Sequence, residues 1–280
     1  MNRLLSADFF RLRKSKTFWI CGIGMALFAI FIAVNSYYNI QREIEVFVSD
    51  MILAFAGWIG IFCAVFCSLF TGTEYSDGTI RNKLAVGHSR TSVYLSVFTV
   101  NLAAGLLFCL VYLAVYTPLG CFLLEPFRMA AGDLAKLLVL LVFLTAAFTG
   151  LFTAVSMANQ NKAAAAVINL LVFMGLMIGT VYLLNTLEAP KTLGGMYMDE
   201  AGVMQIAEET PNPAYVDGFQ REVYLFLLDF LPTGQGIQIS TGVDWLTGLD
   251  RMARMLLSSL GICGATILAG AAVFRKKDLK

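Results

Sequence analysis

Residues 51–70 read MILAFAGWIGIFCAVFCSLF, a run of 20 residues without a charge. A bilayer core of ~30 Å is crossed by about 20 apolar residues in a helix, so this run is long enough to span one. The pattern repeats on both sides of it. Runs of the same kind occupy residues 18–38, 92–124, 134–158, 163–184 and 252–274, which makes six. None carries Lys, Arg, Asp, Glu or His in its central part. Unpaired backbone groups are too costly in lipid, and the alternation of a membrane barrel is absent, so the runs read as helices. The expected fold is an all-α integral membrane protein with six transmembrane helices, forming a single domain over residues 1–280. The run at 92–124 is too long for one straight span, and Pro118 is expected to kink or end it, leaving 120–124 at the interface.

Composition agrees. Of 280 residues 58% are hydrophobic and only 14% charged. Soluble domains carry about 25% charged residues, so a soluble enzyme domain is excluded, as are a disordered chain, collagen and a disulfide scaffold. The first run exceeds the roughly 7–15 residues of a signal-peptide core, and no small-x-small site follows it, so cleavage is not expected. Charge fixes the expected orientation. With the N-terminus inside, segments 1–17, 71–91, 159–162 and 275–280 hold 13 Lys and Arg against four Asp and Glu. The outer segments hold seven bases and 15 acids, so a net of +1 is the cancellation of +9 inside and −8 outside. Both termini are expected in the cytoplasm, and the chain in the cell membrane.

The connections carry the rest. Residues 1–16 form a short amphipathic stretch with Leu4, Leu5, Phe9 and Leu12 at helical spacing and Arg3, Arg11, Arg13 and Lys14 on other faces. It reads as a helix on the inner membrane surface before an elbow, or simply as a positive anchor. Residues 71–91 read TGTEYSDGTIRNKLAVGHSRT. Thr73 or Ser76 could cap a short helix there, with Asp77 in its first turn, Ile80 and Leu84 on one face and Gly87 as its stop. A plain solvated loop is the alternative. Residues 185–251 are the longest extramembrane piece and are acidic; Asp199-Glu200 and Glu208-Glu209 read as a solvated outer face. Within it Val223–Leu231 is too short to span, and reads either as an interfacial anchor or as a re-entrant outer element.

Several chemistries are missing. The chain has no phosphate-binding Gly-x-x-x-x-Gly-Lys-Ser/Thr loop and only one histidine, His88. The six cysteines lie in or beside the spans and read as small apolar packers; no metal site is expected. The spans contain no buried charge of the kind that proton relays use. They offer Thr99, Asn101, Thr145, Thr149, Thr153 and Asn169 instead, as hydrogen-bonding glue or a polar path. Gly175 and Gly179, and Ala146 with Gly150, are candidate close helix contacts. A membrane body without an energy source suggests that a partner supplies it.

Glu74-Tyr-Ser-Asp-Gly-Thr-Ile-Arg-Asn-Lys-Leu84, followed by Gly87-His-Ser-Arg90, resembles the permease subunit of a type-2 ATP-binding-cassette exporter. The likeness extends to the basic opening Phe10–Phe18, the six spans and the Leu231-Pro-Thr-Gly-Gln235 element before the last one. The resemblance implies that 71–91 is the coupling segment docking on an ATPase subunit through Glu74, Tyr75, Asp77, Gly78, Thr79, Arg81, Lys83, His88 and Arg90. It implies a unit of two permeases, alike or different, and two ATPases, with Mg-ATP on the partner and no cofactor or catalytic residue in this chain. Nucleic acid has no place in it. It further implies an outer gate near Tyr224, Phe226, Asp229 and Pro232, and suggests export of a peptide, drug or other amphipathic molecule. The glycines Gly72, Gly78 and Gly87 are expected to form tight turns, and charge reversal at Glu74 or Arg81 to uncouple transport without unfolding the bundle. A stand-alone secondary transporter or channel is the rival; a lipid-acting membrane enzyme and a structural or sensor protein are more distant ones.

Overall fold

The computed structural model describes residues 2–42, 44–194, 196–198, 204–206, 210–242 and 249–277, with backbone only at 196–198, 204–206 and 249. The paired acids Asp199-Glu200 and Glu208-Glu209 fall outside the described residues. Helix α1 covers Asn2–Lys14 and α2 covers Lys16–Ile40. A short α3, Val48–Met51, and a 3-10 turn, Ala54–Gly57, lead into α4, Ile59–Ser76. Then come α5 (Thr79–Ala85), α6 (Arg90–Leu123), α7 (Ala131–Ala158) and α8 (Lys162–Leu187). Two antiparallel pairs follow, β1 (Thr192–Leu193) with β4 (Thr210–Pro211) and β2 (Met196–Met198) with β3 (Met204–Ile206). The chain closes with α9 (Gly218–Phe230), α10 (Pro232–Thr241) and α11 (Leu249–Lys276). Among the described residues six helical segments are long and apolar enough to cross a membrane, and the protein is an all-α integral membrane protein.

Local chemistry sets the helix starts. The Ser15 hydroxyl accepts from the Phe18 amide at the start of α2, and Ser89 from Ser92 at the start of α6. Asn161 accepts from both Ala163 and Ala164 at the start of α8. Each satisfies amide groups that the first helical turn leaves open. Inside the bundle two asparagines tie helices together. Asn101 Nδ2 donates to Thr153 Oγ1 at 2.9 Å, and Asn169 Nδ2 to Ser68 Oγ at 2.8 Å and Ser156 Oγ at 3.0 Å. Thr145 and Thr149 bond back to their own helix, and exposed Thr99 does the same. Gly150 lies against Cys263 and Thr266 of α11, whereas Gly175 and Gly179 face open space.

Two spans depart from the sequence reading. The run expected to be kinked or ended at Pro118 does not end there: α6 continues as helix through it to Leu123. Residues 51–70, expected as one straight helix, are broken between Ile52 and Trp58. Irregular backbone at membrane depth is tolerated where protein covers it. Here Phe55, Ala56 and Gly57 are buried, and two hydroxyls from α6 take up carbonyls near the break. Tyr112 Oη donates to Met51 O at 3.0 Å and Tyr116 Oη to Val48 O at 3.3 Å. Helix α10 lies on the broken turn: a Cβ on Gly236 would stand 2.6 Å from the Ala56 carbonyl oxygen, so only glycine permits this approach.

Candidate functional site

Helix α5 sits at the end of the bundle that also carries α1, the last turn of α4 and the end of α11. Two glycines in the left-handed region bracket it, Gly78 at φ +68° and Gly87 at φ +98°, which reverses the chain on either side of a seven-residue helix. Gly72 is not a turn. It lies within α4, and a side chain there would collide with Lys162 of α8. Thr73 and Ser76 do not cap α5 either: both are in the last turn of α4 and donate to Leu69 O and Thr73 O.

The acids and bases of this segment turn inward. Glu74 is fully buried. Its two oxygens accept from Arg11 Nη1 at 2.6 Å and Lys83 Nζ at 2.9 Å. Lys83 is buried too, and pairs with buried Asp8 of α1 at 2.7 Å. Ser96 Oγ of α6 donates to the other Asp8 oxygen at 2.6 Å. Two buried carboxylates, buried Lys83 and half-buried Arg11 thus form a charge-balanced cluster joining α1, α4, α5 and α6. Ionic groups leave water only when paired and hydrogen-bonded in this way. Sequence reasoning aimed Glu74 and Lys83 at a partner protein; the structure shows both facing α1.

Tyr75 and Arg90 are also internal fastenings. Tyr75 Oη donates to Met157 O at 2.6 Å, and Lys277 Nζ to Met157 O at 3.0 Å and the Tyr75 hydroxyl at 3.3 Å. The Lys277 ammonium lies 4.4 Å from the Tyr75 ring centre, and its partial burial pulls it down to about 8. Arg90 Nη1 donates to the Phe274 carbonyl at 3.0 Å and to the Lys277 carbonyl. A cation therefore holds the last carbonyls of α11, where the helix dipole is negative. Ile80 and Leu84 of α5 pack against Leu4, Tyr94 and Phe274 below it.

What remains outward is Ser76, Asp77, Arg81, Asn82, Ala85, Val86, Gly87 and Ser89. Val86 is 80% exposed. Gly78, Thr79 and His88 are half-buried, and Thr79 and His88 line a cavity of about 250 Å³ with Arg3, Asp8 and Lys83. On α1 the buried positions are Leu4, Asp8 and Leu12, while Phe9 and Phe10 point away from the bundle, as do Arg3, Arg13 and Lys14. The expected apolar stripe through Phe9 is thus replaced by one through Asp8. Asp8, Ser96, Met157 and Lys277 escaped the sequence reading. The signal for Asp8 was present: it is the one acid in a basic helix, four residues from each of Leu4 and Leu12.

The other four residues singled out lie at the opposite end. Asp229 of α9 is buried and accepts from Arg251 at 3.0 and 3.3 Å; Arg254 pairs with it at 3.1 Å. Pro232 is the buried first residue of α10. Tyr224 lies beside Tyr182, and Phe226 is exposed and stacked on Phe230. The anchor and re-entrant readings of this region divide between two helices. Helix α9 is half-exposed, whereas most of α10 is buried between α9, α7, α8 and the broken turn. Amides seat it: Gln235 Nε2 donates to Asp229 O at 2.8 Å and Met255 O at 3.1 Å, and Ser259 Oγ donates back to Gln235 Oε1.

The family described as ABC-2 family transporter protein matches residues 4–177, from α1 through most of α8. No curated protein matches the chain. The matched stretch takes in both sides of the buried cluster and all of α5. With six membrane-crossing helices and more than half of its length matched, the chain belongs to the ABC-2 family of transporter proteins, the membrane-embedded permease components of ATP-binding-cassette transporters.

Proposed function

We propose that this permease is the translocation subunit of an exporter driven by a separate ATPase, and that α5 is the helix through which the two are coupled. The observation that carries this is the two-sidedness of α5. Its inner face is fastened to α1, α4 and α6 by buried charge, and its outer face offers Arg81, Asn82, Ala85 and Val86 with no partner among the described residues. An exposed valine beside an arginine suits a groove on another protein better than water. Asp77 and the rim of Thr79 and His88 extend this face, whereas Glu74, Tyr75, Lys83 and Arg90 act behind it as the frame.

In this reading both termini lie in the cytoplasm of a cell that carries the protein in its cell membrane, and α1 lies on the inner membrane surface with Phe9 and Phe10 in lipid. Two permeases, alike or different, work with two ATPases, which bind the Mg-ATP. Helices α9 and α10 stand at the outer mouth, with Tyr224, Phe226, Asp229 and Pro232 around the gate. A peptide, drug or other amphipathic molecule is exported. The test is to purify the tagged chain from its native membrane and identify co-purifying proteins. A phosphate-loop ATPase should be recovered with the parent and lost with Arg81→Glu/Val86→Asp. Recovery of the ATPase and unchanged export in that variant would refute the assignment of α5.

A further inference from the structure

A second cavity, of about 430 Å³, lies on the far side of Arg11, at the elbow where α1 turns into α2. Arg11, Lys14 and Lys16 line it against a single carboxylate, Asp77. Arg11 faces both ways: Nη1 bonds Glu74, while its planar fork also borders the elbow. Lys14 lies 4.4 Å from the Phe10 ring centre, and neither Lys14 nor Lys16 has a carboxylate partner among the described residues. The Thr17 hydroxyl is another lining group, and no acid stands in the first turn of α2. Arg11 is already paired with Glu74 and Asp77 stands across the cavity, so Lys14 and Lys16 are the cations whose mutual repulsion a bound anion would relieve.

We propose that this elbow cavity binds the phosphate of an anionic phospholipid from the leaflet on which α1 lies. The proposal rests on the membrane-surface reading of α1 given above. The chemistry recognised is a phosphate mono-anion, which a lipid headgroup or a free phosphate could supply. The surroundings favour the lipid. Lys16, Ile20, Ile23, Leu27 and Phe31 follow one another at spacings of three and four along α2, and all are exposed. A headgroup held at Lys16 therefore has a continuous apolar flank beneath it for its acyl chains. Trp19 is also exposed, and its Nε1 donates to the Arg13 carbonyl at 2.9 Å across the elbow, the arrangement of an interfacial anchor.

The test is native mass spectrometry of the full chain in detergent with phosphatidylglycerol, phosphatidylcholine or inorganic phosphate added. Phosphatidylglycerol should be retained and phosphatidylcholine lost. Lys14→Gln/Lys16→Gln should weaken phosphatidylglycerol about 30-fold, from two cations near an anionic lipid. Both side chains are exposed, so the variant keeps the fold. Arg13→Gln, exposed but outside the cavity, should change binding less than about twofold, in contrast to each cavity lysine. Equal retention of the two lipids, or an Arg13→Gln effect equal to that of the lysines, would overturn the proposal. So would displacement of the lipid by millimolar phosphate, which would make this a site for a soluble anion. Brominated lipids test the premise separately, in a variant in which Trp58→Phe and Trp245→Phe leave only Trp19. Unquenched Trp19 would overturn the proposal through α1; quenched Trp19 without headgroup selectivity would overturn it through the cavity. Neither readout involves an ATPase, so the coupling reading stands or falls apart from it.

Discussion

Replacing Lys83 by Met is the sharpest test of how α5 is held. Lys83 lies 2.7 Å from Asp8 and 2.9 Å from Glu74, and all three are buried. Without it Asp8 keeps only the Ser96 hydroxyl and Glu74 keeps only Arg11, and the cluster gains an uncompensated negative charge. Removing one partner of a buried pair costs about 3–5 kcal/mol. The lower end applies here, because Arg11 is still present and is 26% exposed. The chain can relieve this by loosening α1, whose remaining inward grip is Leu4, Leu12 and the Arg11–Glu74 pair. The effect should therefore be local: hydrogen exchange across 2–14 and 79–85 should accelerate by about 10²–10³-fold, with the centres of α6 and α7 unchanged. Arg81→Gln, on the exposed face of the same helix, should shift exchange by less than about threefold. Asp8→Asn/Lys83→Met removes one charge of each sign and leaves Glu74 with Arg11, so it should recover most of the loss. Exchange in Lys83→Met within about threefold of the parent, or a double variant worse than the single, would refute the reasoning.

Three further outcomes are expected. Asp229→Asn removes the buried carboxylate that ties α9 to Arg251 and Arg254 of α11, and should raise hydrogen exchange in α9 by about 10²-fold while α1 is unaffected. Gly236→Ala sets a methyl 2.6 Å from the Ala56 carbonyl oxygen and 3.2 Å from the Gly57 Cα, both backbone, so about 1–3 kcal/mol of stability and several degrees of Tm should be lost in a thermal melt of the purified chain. Asn169→Leu removes the donor that joins Ser68 of α4 to Ser156 of α7, and should lower stability in the same melt by about 1–2 kcal/mol.

The six membrane-crossing segments were legible because the lipid requirement acts on length and apolarity alone, which a single chain displays. Five of them extend no more than three residues beyond the expected bounds at either end, since Ser15 and Asn161 mark starts that composition already suggests. Pro118 misled because a proline removes one intrahelical bond and need not stop a helix packed on its neighbours. The break at 52–58 was not legible from its own residues. It depends on Tyr112 and Tyr116 from one helix and Gly236 from another, all distant in sequence. The segment at 71–91 was legible as a helix between glycines but not in its orientation. Which of Glu74, Arg81 and Lys83 faces inward is decided by Asp8, and that pairing spans 75 residues of chain.

The mechanical consequence concerns what moves with α5. A seven-residue helix is only about 10 Å long and cannot flex within itself, so force on Arg81 or Val86 passes to whatever holds its inner face. Glu74 and Lys83 connect that face to α1 and α4, and the short loop to Arg90 connects it to α6 and, through the Phe274 and Lys277 carbonyls, to α11. Tyr75 and Lys277 add the end of α7 through Met157. Five helices therefore receive the same displacement at one end of the bundle. At the other end Asp229 pins α9 to Arg251 and Arg254 of α11, but α10 itself is seated without charge. Glycine contacts and amide bonds around α10 are short-ranged and lost on small separations, whereas ion pairs weaken gradually with distance. A displacement applied at α5 should then open the α10 end first, while the charged end shifts as a unit.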